Sequence, residues 1–171
     1  MELSQILRER YAVRKYADTP VTPEQLQAVL EAGQLAPTAK NIQPWRVYVL
    51  KSPEAIAKIR ALSPSAYNAP VVLLFTYDQE LQWQNPFDPS FRAGQEDCSI
   101  AATCMMLRAA DLGLGTCWVN FFDPAKLKEA FALPEQEQPL LLLPLGVPAP
   151  DSAPAALHFQ RKSLEELASE L

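Results

Sequence analysis

Residues 36–45 read Ala36-Pro37-Thr38-Ala39-Lys40-Asn41-Ile42-Gln43-Pro44-Trp45, and across this stretch the hydrophobic period of the chain changes. Upstream, Leu26, Val29 and Leu30 recur at helical spacing behind a strong start signal. Thr22 suits the N-cap, Pro23 the first turn, and Gln25 completes a capping box. Downstream, Trp45 to Leu50 alternates between Pro44 and Pro53, which predicts a strand. Taken alone, the segment between is a helix-to-strand connection built of turn residues. Its two prolines fix the backbone, and Thr38, Asn41 and Gln43 present short polar groups between them.

The same two periods extend outward. Leu3, Ile6 and Leu7 predict a first helix over residues 2–10. Ser52-Pro53-Glu54 caps a helix reaching about Leu62. Residues 70–77 form a continuous apolar run, expected to be a strand covered on both faces. Residues 81–95 are aromatic, proline-containing and irregular, and read either as a lid or as a disordered loop. Residues 95–112 predict a long helix with little polar face, serving as core or subunit interface, ended by Gly113 and Gly115. A strand over 116–121, a helix from Asp123-Pro124 to about Ala132, and a last central strand over 140–147 follow. Pro144 implies a bulge or an edge in that strand. Ser163-Leu164-Glu165-Glu166 is a capping box for a terminal helix. The expected fold class is α+β: four or five strands with helices on both faces, in a single domain spanning 1–171.

Composition narrows the function classes. The 171 residues are 49% hydrophobic but only 20% charged, so part of the surface is expected to be covered by a partner subunit. The net charge of −5 disfavours nucleic acid as the main partner. No apolar run approaches the ~20 residues of a membrane span, and residues 1–5 lack signal-peptide features, so a cytoplasmic location is expected. Cys98, Cys104 and Cys117 lack CxxC spacing, and His158 is the only histidine. A disulfide framework, a metal site and a Ser-His-Asp triad are therefore not expected.

Two further segments bear on chemistry. Residues 1–15 carry four positive and two negative side chains, net +2, so residues 16–171 sum to −7. A local positive cluster in an acidic chain suits a small anion. Arg10 and Arg14 share a face whether the chain is helical or extended, and both offer bidentate bonding to phosphate. On spacing alone, however, they are also an ordinary solvated helix end. In Leu112-Gly113-Leu114-Gly115-Thr116-Cys117-Trp118-Val119-Asn120 the glycines allow close backbone approach. This is not a dinucleotide fingerprint, because it leaves a helix and enters a strand.

The order of these pieces resembles the nitroreductase family of flavoproteins. The matching residues are Arg10 and Arg14, the loop 36–45, Ala69-Pro70, the run from Asp97 through Trp118, Leu145-Gly146, and Arg161-Lys162-Ser163-Leu164-Glu165-Glu166. Each motif is moderately specific; together in this order they are highly specific, and they cover nearly the whole chain. The resemblance implies a three-layer sandwich around a mostly antiparallel sheet, in an intertwined homodimer with FMN at each subunit interface. Arg10 would clamp the phosphate, joined by Arg161 and Lys162. Arg14 would lie nearer the ribityl and pyrimidine side and tune the ring, with Tyr11 and Ala12 between them. Pro37, Thr38, Ala39, Asn41 and Gln43 would come from the partner subunit; Asn and Gln match the acceptors and N–H of a flavin pyrimidine edge. Cys117, Trp118, Val119 and Asn120 would pass along one ring edge and supply backbone donors. Trp83, Phe87 and Phe91 are the expected substrate lid. No catalytic side chain is implied, since the chemistry occurs at flavin N5.

The implied activity is transfer of reducing equivalents from NADH or NADPH to a nitroaromatic, quinone or similar small acceptor, by a ping-pong mechanism. Related reductive chemistries (dehalogenation, flavin breakdown) and a non-catalytic flavin-binding or sensing protein remain alternatives. The family commonly has Ser where this chain has Ala12, a lost hydroxyl worth roughly 0.5–1.5 kcal/mol.

Overall fold

The computed structural model describes residues 2–171. Thr22 caps helix α2 (Pro23–Gln34) as its sequence requires: its side chain accepts from Gln25 N–H and the Gln25 side chain returns to the Thr22 amide. Ser52 caps α3 (Pro53–Leu62) by accepting from Ala55 N–H, and Asp123 caps α5 (Pro124–Ala130) by accepting from Ala125 and Lys126 N–H, both without the return bond seen at α2. Between them run β1 (Trp45–Leu50), β2 (Val71–Asp78), the long α4 (Gly94–Asp111), a two-residue β3 (Gly115–Thr116) and β4 (Glu137–Gly146). α1 (Leu3–Glu9) precedes them and the single turn α6 (Leu164–Leu167) follows.

The four strands form one antiparallel sheet in the order β1-β2-β4-β3. Period-2 alternation gives it two apolar faces. Val71, Leu73, Phe75, Leu141 and Leu143 face α2 and α4, with Val29, Cys98, Ala102 and Met105. Val72, Leu74 and Leu142 face α3 and α5, with Ile56, Ile59 and Leu127. The result is the expected three-layer α+β sandwich. At Gly33 of α2 a Cβ would lie 2.0 Å from Met105 Cε of α4, so any side chain there requires the flexible Met105 side chain to move.

Three expectations need correction. The strand over 116–121 is confined to Gly115–Thr116; beyond it only Val119 returns to the sheet, bonding Leu142 through both its N–H and its carbonyl. The irregularity in β4 falls at Leu140, between the pairs Phe75–Leu141 and Thr76–Pro139, and not at Pro144. Pro144 lies inside a central strand opposite Val72, and its carbonyl accepts from the Tyr16 hydroxyl at 3.1 Å. Residues 81–95 are an ordered excursion: Gln84 bridges Arg92, Asn85 N–H bonds Phe91 O, and Ala93 N–H bonds Trp83 O.

The helix α4 is buried on one face only. Ala101, Ala102, Met105 and Ala109 are covered, whereas Ile100 and Thr103 are exposed and Leu107 half-buried. Leu3 and Leu7 of α1 are 60% and 57% exposed, with only Ile6 buried. Two helices thus carry apolar residues that this chain alone leaves open.

Candidate functional site

Residues 10–17 leave α1 in extended form and run along the β3 end of the sheet. Val13 N–H bonds Thr116 O at 2.8 Å, Ala17 N–H bonds Val147 O, and Ala12 bridges Thr116 in parallel. Asn68 holds the middle of the segment by bonding both the N–H and the carbonyl of Tyr16. The Tyr16 hydroxyl donates to Val13 O and Pro144 O inside the core, and burial raises its pKa above the ordinary tyrosine value. The segment is fixed, and so are the positions of its arginines.

Arg10 lies half-buried at the mouth of a pocket of about 160 Å³, lined by Ile6, Glu9, Tyr11, Leu114, Gly115 and Pro148 among others. Its Nε is buried with no hydrogen-bond partner. Burial, and next the positive charge of Arg161, lower the Arg10 pKa. Neither arginine forms an ion pair with a carboxylate among the described residues. Two guanidinium groups whose charges act on each other, neither paired with a carboxylate among the described residues, suit a bidentate anion such as a phosphate. Arg14 and Lys162 are both exposed, and neither forms an ion pair with a carboxylate among the described residues.

Sequence reasoning missed what delivers Arg161. The tail after β4 folds back over residues 11–15. The Tyr11 hydroxyl donates to Ser152 at 3.2 Å, the Tyr11 ring meets His158 edge-on at 6.4 Å, and Lys15 pairs with Asp151. Ser152 and Asp151 carry no sequence signal for this role; they are two polar residues in a proline-rich stretch.

The loop 36–45 stands at the other end of the sheet. Lys40, Asn41 and Gln43 have φ of 51°, 55° and 54°, a region that non-glycine residues other than Asn seldom adopt. Thr38 organises it: its carbonyl accepts Asn41 N–H and its hydroxyl accepts Gln43 N–H. Asn41 and Gln43 are exposed, Thr38 and Ala39 half-buried, and Pro37 exposed. Ala39 N–H bonds Oδ1 of Asp97 on α4 at 2.9 Å. Asp97 is a second residue whose role sequence reasoning did not assign.

Residues 117–120 alternate. Cys117 and Val119 point into the core, Trp118 and Asn120 outward. Trp118 Nε1 donates to Asn120 Oδ1, and Asn120 Nδ2 donates to Leu140 O, both at 2.8 Å. Val119 cannot offer its backbone donor to a ligand, because its N–H is spent on Leu142. Ala12 packs beside the core and lacks any hydroxyl. In the 81–95 excursion Trp83 and Phe91 pack edge-to-face at 6.2 Å, and Phe87 protrudes at 96% exposure.

The predicted residues therefore fall into two groups. Arg10, Tyr11 and Arg161 gather with the pocket at the C-terminal end of α4, which Ala110 lines. The loop 36–45 is tied to the N-terminal end of the same helix at Asp97. Thirteen residues at 1.5 Å each put about 20 Å between those two points of α4. Within one chain the groups are apart.

The described residues contain no helix long and apolar enough to cross a membrane and no cluster of three metal-ligating side chains. The model of the nitroreductase family matches residues 7–65 and 60–147. An FMN reductase of Bacillus subtilis, with NAD(P)H in its name, is 32% identical over 170 residues, covering 89% of this chain and 68% of its own. A crystal structure of a nitroreductase family protein from Clostridium difficile 630 superposes with a TM-score of 0.91 at 34% identity, covering 99% of this chain and 98% of that one. An FMN-dependent nitroreductase from Clostridium difficile R20291 gives 0.73 at 26% identity, covering 86% and 88%. With its sheet order, its arginine pocket and these matches in agreement, the chain belongs to the nitroreductase family.

Proposed function

We propose that this chain is an FMN-dependent oxidoreductase that moves reducing equivalents from NADH or NADPH to a nitroaromatic, quinone or similar acceptor, with FMN held between two copies of the chain. The observation that carries the reading is the unpaired, buried Arg10 Nε beside Arg161. It calls for an anion, and a phosphate monoester accepts bidentate bonds from both groups. Family membership and the named relatives support NAD(P)H-dependent oxidoreductase activity.

FMN, when bound, would supply the two-electron chemistry that side chains lack, linking NAD(P)H to the acceptor in a ping-pong cycle. The chain does the rest. Arg10 and Arg161 hold the phosphate, with Lys162 adding positive charge. Arg14 would lie toward the ring, where its charge would stabilise negative charge and raise the reduction potential. Trp118 and Asn120 wall one edge of the site, and Trp83, Phe87 and Phe91 cover the acceptor and exclude water.

Two facts support a site shared between copies. The pocket beside Arg10, at about 160 Å³, is below the ~300 Å³ at which ligand sites begin. The loop bearing Thr38, Asn41 and Gln43 stands far from it along α4. A two-fold dimer that covers the open faces of α1 and α4 would bring the loop of one copy to the arginines of the other.

The purified protein tests this. It is expected to be yellow, or to take up one FMN per chain, and to bleach anaerobically with NADH or NADPH. Protein that takes up no FMN contradicts the cofactor assignment. Bound flavin that neither nucleotide bleaches contradicts the enzymatic one.

A further inference from the structure

Residues 37–43 hold an unusual backbone with few supports. Lys40, Asn41 and Gln43 all lie at positive φ, and only Asn visits that region readily. Inside the loop, Asn41 and Gln43 bond back to Thr38. Among the described residues, one hydrogen bond leaves the loop for the rest of the protein: Ala39 N–H to Asp97 Oδ1 at 2.9 Å. Its acceptor is 3% exposed, on the first turn of α4, next to the buried Cys98.

Asp97 is a poor choice for packing. Burying a carboxylate is unfavourable unless it is paired or fully hydrogen-bonded, and an apolar residue of similar size would serve the interior of α4 better. Asp97 makes no ion pair, and its Oδ2 is buried without any partner. Its one visible task is to hold the Ala39 amide. Trp45 Nε1, where the loop enters β1, is likewise buried without a hydrogen-bond partner among the described residues.

We propose that Asp97 is the positioning residue of the flavin-binding loop, acting on the ligand only through the Ala39 amide. With that amide pinned, Thr38 stays in place to organise Asn41 and Gln43, and the exposed amide side chains meet the ring edge at fixed positions. Without it, the loop relaxes toward ordinary negative φ and the donors disperse. The inference rests on the FMN reading above for its ligand, and on Ala39–Asp97 geometry for its mechanism.

Two substitutions remove the same bond from opposite ends. Asp97→Ala deletes the acceptor. Ala39→Pro deletes the donor at the first position of a helical turn, where proline fits, and Thr38 before it is already extended (φ −137°, ψ 156°). Titrating the full-length protein with FMN and with riboflavin, each variant is expected to lose about tenfold or more in affinity for both ligands. The double variant should be no worse than either single. Asp97→Asn, which keeps an acceptor oxygen, should recover most of the affinity. Arg10→Ala, in contrast, should weaken FMN and spare riboflavin. Folded variants that bind both flavins like the parent overturn the proposal, as does a double variant whose losses add. A ligand-free measurement separates this from the cofactor reading: the exposed Lys40–Asn41 bond should be cut by trypsin at least tenfold faster in Asp97→Ala and Ala39→Pro. If the parent takes up no flavin, the FMN reading falls while this cleavage still decides for or against Asp97; unchanged cleavage overturns it.

Discussion

Arg161 lies close enough to Arg10 for its positive charge to lower the Arg10 pKa, and no carboxylate pairs with either among the described residues. The chain bears this repulsion in the free state, and an anion between the two converts it into attraction. Arg10→Ala should reduce FMN affinity by about 10- to 100-fold, the range of a lost charge-assisted hydrogen bond of ~1.5–3 kcal/mol, and leave riboflavin binding unchanged. Arg161→Met should lower FMN affinity while leaving the ligand-free melting temperature level or raised, since a like charge has gone. Fluorescence titration and thermal melts measure both; a ligand-free melting temperature that falls would contradict the arrangement.

Gly115 sets how closely the arginine segment approaches the sheet. A Cβ there would lie 2.6–2.9 Å from three atoms of the Val13 side chain. Gly115→Ala should therefore push residues 10–14 outward, costing about 1–3 kcal/mol of stability as an overpacked site does. FMN affinity should fall with it. The double change Gly115→Ala/Val13→Ala should restore both in melts and titrations.

Alkaline pH should unfold the protein through its buried neutral acids. Burial, aided by the Asp97 charge, pushes the Cys98 thiol up to about 12, and burial raises the Tyr16 phenol above its ordinary value. The unfolded chain ionises these groups near their ordinary values, roughly 8.5 and 10, whereas the native state does not. Their contribution is complete below those values and is lost as pH rises through them toward the folded ones. Melting temperature should stay level to about pH 8 and then fall. Tyr16→Phe should flatten the fall above about pH 10, and cost ~1–3 kcal/mol at neutral pH because Val13 O and Pro144 O lose their donor.

Phe87, at the tip of the 81–95 excursion, touches little. Phe87→Ala should change stability by less than about 0.5 kcal/mol, as exposed positions do. Its kcat/KM should shift for nitroaromatic or quinone acceptors and stay constant for NAD(P)H. Steady-state kinetics with two acceptors checks this; equal effects on donor and acceptor would remove Phe87 from the lid.

Local physics was legible in the sequence. Thr22, Ser52 and Asp123 cap their helices where hydroxyl or carboxylate, proline and apolar period coincide. β1 falls on Trp45–Leu50 because prolines close both ends. Long-range economy was not legible. Nothing at residue 119 shows that its amide is already committed to Leu142, and nothing in Pro144 shows that a tyrosine 128 residues away will satisfy its carbonyl. The arginine cluster was visible as charge, but its delivery by Tyr11, Ser152 and Asp151 was not, because those contacts depend on how the tail turns after β4. Asp97 reads in the sequence as one more polar residue near a helix start, because the loop amide it holds is 58 residues away.

Complementation between two defective variants tests the shared site most directly. Arg10→Ala damages the phosphate side, and Asn41→Ala/Gln43→Ala the loop. If each site joins the arginines of one copy to the loop of the other, a mixed dimer carries one site with both defects and one with none. Co-refolding equal amounts of the two variants should then restore up to about a quarter of the parental FMN-binding sites and NAD(P)H oxidation, since half the dimers are mixed and one site in two is intact. Restoration to that level is the predicted result. Mixed dimers that form yet bind no more FMN than the separate variants would place both halves of the site in one chain and contradict the account.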